Sequence, residues 1–171
     1  MKRISVLVCL LAAFALPAYA DAGHSQVNEP GRWSLGAMLG TPTGFTAKRY
    51  LGGSDAFDIN LGAAYAPGLR FGVDYLWGLA QLLSNNSALN LDFYLGAGPF
   101  VGTLQGPCGG WSWGAACNGD LYVGGRMPIG LEAVFKRVPF TVGLEIAPGL
   151  ALSAGRTGFL LDSVLIGRVL L

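Results

Sequence analysis

Residues 89–101 display the pattern that recurs through this chain. Leu89, Leu91, Phe93, Leu95, Ala97, Pro99 and Val101 take one set of alternate positions. Asn90, Asp92, Tyr94, Gly96, Gly98 and Phe100 take the other. Successive side chains leave a strand on opposite sides, so a period of two predicts a β-strand with one apolar face. The pattern begins upstream, where Trp33, Leu35, Ala37 and Leu39 alternate with Ser34, Gly36, Met38 and Gly40. Phe45, Ala47, Arg49 and Leu51 then alternate with Thr46, Lys48 and Tyr50. Thr41-Pro42-Thr43-Gly44 between them reads as a tight turn, because proline presets φ and glycine tolerates positive φ. A kink there instead of a turn would leave one strand fewer.

Strands at 56–65 and 69–77 follow, joined at 66–68. Phe57, Ile59, Leu61, Ala63, Tyr65, Leu69, Phe71, Val73, Tyr75 and Trp77 share one face. Asp58, Asn60, Gly62, Ala64, Arg70, Gly72, Asp74 and Leu76 share the other. The expected register sets Ala64 opposite Arg70 and Asn60 opposite Asp74. Residues 78–88 read as a connection and 103–120 as the longest break in the pattern. Further strands are expected at 121–135, 140–152 and 158–171, which makes eight.

The faces differ in chemistry. In strands 56–65, 69–77 and 89–101 the apolar face carries seventeen positions and no charge, while the opposite face carries Asp58, Arg70, Asp74 and Asp92. A soluble ligand-binding barrel would turn the charges outward and keep a greasy cavity within. Composition favours the inverse. Only 12% of the 171 residues are charged and 52% are hydrophobic, whereas a soluble domain carries about a quarter charged residues. The expected fold is therefore all-β, an eight-stranded antiparallel up-and-down transmembrane β-barrel over 32–171, with apolar side chains facing lipid. The net charge of +1 gives no reason to expect nucleic acid.

The start of the chain supports export. Lys2 and Arg3 precede an apolar stretch at 4–16, and Ala18-Tyr19-Ala20 supplies small residues where a signal peptidase reads. Cleavage is expected between Ala20 and Asp21, followed by a loose arm at 21–31. The apolar stretch is shorter than the ~20 residues a spanning helix needs. Cys9 lies inside it, so no lipoprotein is expected. The implied location is the outer membrane of a diderm bacterium.

Eight strands leave an interior that side chains just fill. Lys48, Arg70, Arg126 and Arg168 against Asp58, Asp74, Asp92, Glu132, Glu145 and Asp162 form the expected ion-pair network of that lumen, with Glu145 and Arg168 one expected pair. The network reads as structural glue or as the lining of a narrow, gated conduit for ions or small solutes. Trp33, Tyr65, Tyr75, Trp77 and Phe135 lie near strand ends and read as aromatic girdles at the lipid–water interface. A periplasmic N-terminus puts the 102–120 loop outside the cell. Cys108 and Cys117 would meet there in an oxidising compartment as a disulfide, pre-ordering Trp111 and Trp113. That loop reads either as a recognition surface or as an inert solvated cap.

Several motifs resemble those of small outer-membrane barrels of the OmpA-transmembrane and OmpX type. More narrowly they resemble an uncharacterised eight-stranded family first noticed in Borrelia outer membranes. The motifs are Leu39-Gly40-Thr41-Pro42-Thr43-Gly44 with Lys48, Asp74-Tyr75-Leu76, Tyr94-Leu95-Gly96-Ala97-Gly98-Pro99, Gly125-Arg126-Met127-Pro128-Ile129-Gly130-Leu131 and Leu144-Glu145-Ile146-Ala147-Pro148-Gly149-Leu150. The resemblance implies an outer-membrane barrel whose partners are membrane lipids and the barrel-assembly machinery.

The expected role is structural or surface-interacting, with an extracellular protein or surface ligand met through the 102–120 loop. A narrow channel and an outer-membrane lipid-modifying enzyme are the alternatives. A Ser–His mechanism needs a histidine on the barrel, and the one histidine, His24, lies in the arm. No catalytic residue, metal site or cofactor is expected. Gly96-Ala97-Gly98 lacks the following helix that a nucleotide fingerprint requires.

Overall fold

The computed structural model describes residues 30–52, 54–64, 68–83, 88–103, 121–153 and 156–171. The expected signal peptide, all of the arm before Pro30, Tyr65, and the loop with Cys108, Trp111, Trp113 and Cys117 lie outside these residues. The described chain is all-β: β1 (Trp33–Thr41), β2 (Thr43–Gly52), β3 (Asp55–Ala64), β4 (Gly68–Leu83), β5 (Leu89–Thr103), β6 (Leu121–Arg126), β7 (Ile129–Phe135), β8 (Phe140–Ser153) and β9 (Arg156–Leu170). Every strand pair is antiparallel, and consecutive strands pair from β1 to β6 and from β7 to β9. β9 returns to β1 with Leu170 opposite Ser34 and Ser163 opposite Thr41, so the nine-stranded sheet closes into a ring-like array.

The first hairpin is a full turn. β1 and β2 pair up to Met38 opposite Gly44. The Thr43 hydroxyl donates to the Gly40 carbonyl at 2.6 Å and accepts from the Gly40 N–H at 3.2 Å. Gly40 holds φ at +136°, where a side chain would be strained and would collide with the Ser163 carbonyl.

Nine strands occupy eight positions around the ring. The segment expected as one strand at 121–135 is two, β6 and β7, broken at Met127-Pro128. Both halves pair with β5 on one side and β8 on the other. Proline has no N–H for the ladder. The backbone groups at the break bond outside it: Gly96 N–H donates to the Pro128 carbonyl at 2.7 Å, and Met127 N–H donates to the Pro148 carbonyl at 2.9 Å.

Two further expectations are corrected. The β3–β4 register is displaced by two residues, with Gly62 opposite Arg70, Asn60 opposite Gly72 and Asp58 opposite Asp74. The displacement is even, so every side chain keeps its face. β4 also continues through the expected connection to Leu83, with ladder irregularities at 78–80 and 81–83 against β5.

Alternation sorts the side chains as the pattern requires. Among the described residues, twenty-eight large apolar side chains are exposed, Leu39, Phe45, Leu69, Met127, Leu144 and Leu165 among them. Register joins them into rows. Ala37, Phe45, Leu61, Phe71, Val101, Val123 and Leu152 are successive partners across seven strands, without a polar residue. Trp33, Phe57, Tyr75, Trp77, Phe135 and Phe140 gather at the end that carries the 52–55 and 136–139 turns. There Phe57 meets Tyr75 edge-on, and Tyr75 also contacts Trp77.

Candidate functional site

The interior of the ring is the candidate site. Nine ionisable side chains are buried in it: Lys48, Asp58, Arg70, Asp74, Arg126, Glu132, Glu145, Asp162 and Arg168. They arrive from seven strands because each sits at an inward position of its alternation. Apolar groups pack above and below them, with a pocket beside Lys48, Asp92 and Glu132 at one end. Tyr50, Ala56, Leu76, Tyr94, Val134 and Leu170 cluster at one end, and Phe100, Tyr122, Ala151 and Leu160 at the other. The expected packed polar lumen is a charged belt between two apolar clusters, with Met38, Val164 and Ile166 packed on one wall.

The belt divides into two networks. In the first, Lys48 Nζ bonds Glu132 Oε2 at 2.5 Å, Arg168 reaches Glu132 at 3.1 Å, and Arg168 also reaches Asp58 at 2.7 Å. Two cations meet two carboxylates here. In the second, Arg126 bonds Asp74 at 2.5 Å and lies 3.3 Å from Asp162 and 3.6 Å from Glu145. Arg70 grips Asp162 with both terminal nitrogens, at 3.1 and 2.5 Å. Here two cations meet three carboxylates.

Cross-lumen geometry explains the choice of partners. Asp58 and Asp74 face each other directly on β3 and β4, an arrangement that like charges disfavour. Each carboxylate is answered from the far wall, Asp58 by Arg168 and Asp74 by Arg126. Lys48 stands opposite Asp58 on the ladder yet crosses to Glu132. The ammonium rests 5.0 Å from the Tyr50 ring centre and 5.2 Å from that of Tyr94, a cation–π placement.

The expected Glu145–Arg168 pair does not form. Arg168 is held by Asp58, Glu132 and Thr46, whereas Glu145 takes Arg126 and accepts the Tyr94 hydroxyl at 2.9 Å. Asp92 stands apart from the other nine. It is only partly buried, and Gln81 rather than a cation is its hydrogen-bond neighbour.

Neutral side chains complete the belt. Thr46 donates to Asp58 at 2.6 Å and accepts from Arg168. Thr141 donates to Glu132 at 3.1 Å, and Asn60 donates to Asp74 at 2.9 Å. These residues were not among the expected site residues. Their signal was parity, because Thr46, Asn60 and Tyr94 share their strands' charge-bearing face.

Glycine opposite an aromatic makes the interior fit. Tyr94 lies over Gly130, Phe100 over Gly124 and Tyr122 over Gly102, each pair direct ladder partners. A Cβ on any of these glycines would fall within 2.6 Å of the ring. The arrangement forms a packed, ion-paired plug. Among the described residues no group of three or more His, Cys, Asp or Glu is disposed to hold a metal ion. Compared with known protein families, curated proteins and solved structures, the chain matches none at a significant level.

Proposed function

We propose that the chain is an integral outer-membrane β-barrel whose packed interior holds the wall together and whose 102–120 loop faces the exterior. One observation carries this reading: large apolar side chains cover the outside of the ring while nine ionisable groups are sealed inside. Soluble monomers rarely expose a contiguous apolar patch beyond a few hundred Å². Here apolar rows run across seven neighbouring strands. A bilayer is the solvent in which such a surface is stable, and a closed ring satisfies the backbone polar groups that lipid cannot.

The role assigned is structural or surface-interacting rather than catalytic. The interior charges are committed to one another, and apolar clusters pack on either side of them. That packing disfavours the conduit reading, since an ion would have to displace paired charges to pass. The motif resemblance to small outer-membrane barrels agrees with the assignment. The test is purification from outer membranes followed by gel mobility before and after boiling. A heat-dependent shift, with no discrete conductance steps in planar bilayers, is expected. A freely dissolved monomer without detergent would refute the membrane assignment, and regular conductance steps would restore the channel.

A further inference from the structure

The outer wall of the ring carries almost no charge. Among the described residues Arg49 is the one cation at an outward position of a strand, and Asp55 is the one anion. Arg49 is exposed and has no acidic neighbour on the wall. Its ladder partners are Trp33 and Phe57, and Ala47 and Leu51 flank it on the same face. Its guanidinium rests 5.6 Å from the centre of the Trp33 ring. Among the described residues no carboxylate forms an ion pair with it. Asp55 instead accepts the Tyr75 hydroxyl at 2.8 Å.

A charge among apolar side chains on a lipid-facing wall is costly unless it is paired or reaches the interface. Arg49 lies at the level of Trp33, in the aromatic girdle where headgroups begin. Further cations follow along the same rim. The Trp33 carbonyl accepts the Leu171 N–H at 2.9 Å, and the Pro139 carbonyl accepts the Leu170 N–H at 2.9 Å. The 136–139 turn therefore continues the rim from β2 through β1 and β9. It carries Lys136 and Arg137, and Arg137 is exposed and in no ion pair among the described residues.

We infer that Arg49 holds the phosphate of an anionic glycerophospholipid, with Arg137 and Lys136 favouring a headgroup of net negative charge. The inference rests on the membrane reading above. A guanidinium meets phosphate oxygens with two parallel N–H donors. Trp33 steadies the guanidinium by a cation–π contact and supplies no counter-charge, so an anion from the bilayer completes the site. The acyl chains lie over Leu35 and Phe45, exposed apolar side chains deeper on the same two strands. A zwitterionic headgroup brings its own cation, which this basic rim repels.

The experiment titrates the full chain, folded in dodecylmaltoside micelles, with phosphatidylglycerol or with phosphatidylcholine of the same acyl chains. Retained lipid is counted by native mass spectrometry. Each Lys or Arg near a membrane surface strengthens the attraction of anionic lipid about fivefold. The parent should therefore bind one phosphatidylglycerol about twentyfold or more tightly than phosphatidylcholine. Arg49→Gln should lower that preference about fivefold, and Arg49→Gln/Arg137→Gln should bring it near equality. Equal binding of the two lipids by the parent overturns the inference, and so does a preference that survives in the double variant. The parent comparison needs no variant, so a folding defect in either one leaves the inference testable. A heat-dependent gel shift with equal binding overturns this inference alone. A freely dissolved monomer without detergent overturns the membrane reading.

Discussion

Replacing Arg126 by methionine tests whether the charged belt holds the ring together. Methionine retains most of the side-chain volume and removes the guanidinium. In the folded chain that group bonds Asp74 at 2.5 Å, with further contacts to Asp162 at 3.3 Å and Glu145 at 3.6 Å. After substitution three buried carboxylates share the one remaining cation of their network, Arg70. Breaking a buried ion pair by removing one partner destabilises by about 3–5 kcal/mol, equivalent to roughly two to four orders of magnitude in the folding equilibrium. Asp74 bears most of this, since Asp162 keeps both contacts to Arg70 and Glu145 keeps the Tyr94 hydroxyl. The double variant Arg126→Met/Asp74→Asn should therefore be more stable than Arg126→Met alone by about 1–2 kcal/mol, because no carboxylate is then stranded. Urea unfolding in phospholipid vesicles, followed by tryptophan fluorescence, measures both. Arg49→Ala is the control: Arg49 is exposed and rests 5.6 Å from the Trp33 ring, and its loss should change stability by at most about 1 kcal/mol. If Arg126→Met unfolds within about 1 kcal/mol of the parent, the argument that the belt is held by desolvated ion pairs is refuted.

Other outcomes follow from the same geometry. Leu144→Arg places a charge among Leu131 and Leu165, its ladder partners on the outer face. In a bilayer it should cost about 2–4 kcal/mol, while a water-exposed wall would tolerate it with little change in the urea midpoint. Gly130→Ala drives a methyl group into the Tyr94 ring. A loss of about 1–3 kcal/mol is expected from overpacking, with Tyr94→Ala partly restoring the double variant in the same unfolding assay. Glu145→Gln keeps an acceptor for the Tyr94 hydroxyl and removes the third carboxylate of its network. It should stay within about 1 kcal/mol of the parent, whereas Glu145→Leu should be measurably worse. Deleting residues 104–118 should leave the heat-dependent gel shift intact while abolishing any surface partner captured by the full chain.

The period-two pattern alone determined which side chains share a face. Side-chain direction in a strand depends only on parity, so an error of two residues in the β3–β4 register left Asp58, Arg70 and Asp74 inside and Phe57, Leu69 and Phe71 outside. Parity also explains why nine of the ten residues expected in the ion-pair network lie in the buried belt, and why Thr46 and Asn60 could have been found by the same rule. Asp92 obeyed parity as well, but it sits where β4 outruns β3, and no strand-by-strand reading reveals how far one strand extends past its neighbour.

Partnership belongs to the tertiary structure. Lys48 meets Glu132, 84 positions away, and Arg70 meets Asp162, 92 positions away, because closure of the ring brings opposite walls within a side chain's length. The expected Glu145–Arg168 pair rested on adjacency along the sheet. Contacts across the interior prevailed: Asp58 and Asp74 stand together on β3 and β4, and Arg168 and Arg126 reach them from across the ring. The break at Met127-Pro128 was visible in sequence as a proline, yet it became a gap between two strands only because Gly96 and Pro148 supply the backbone bonds there. Local alternation determined sidedness; closure decided which charges meet.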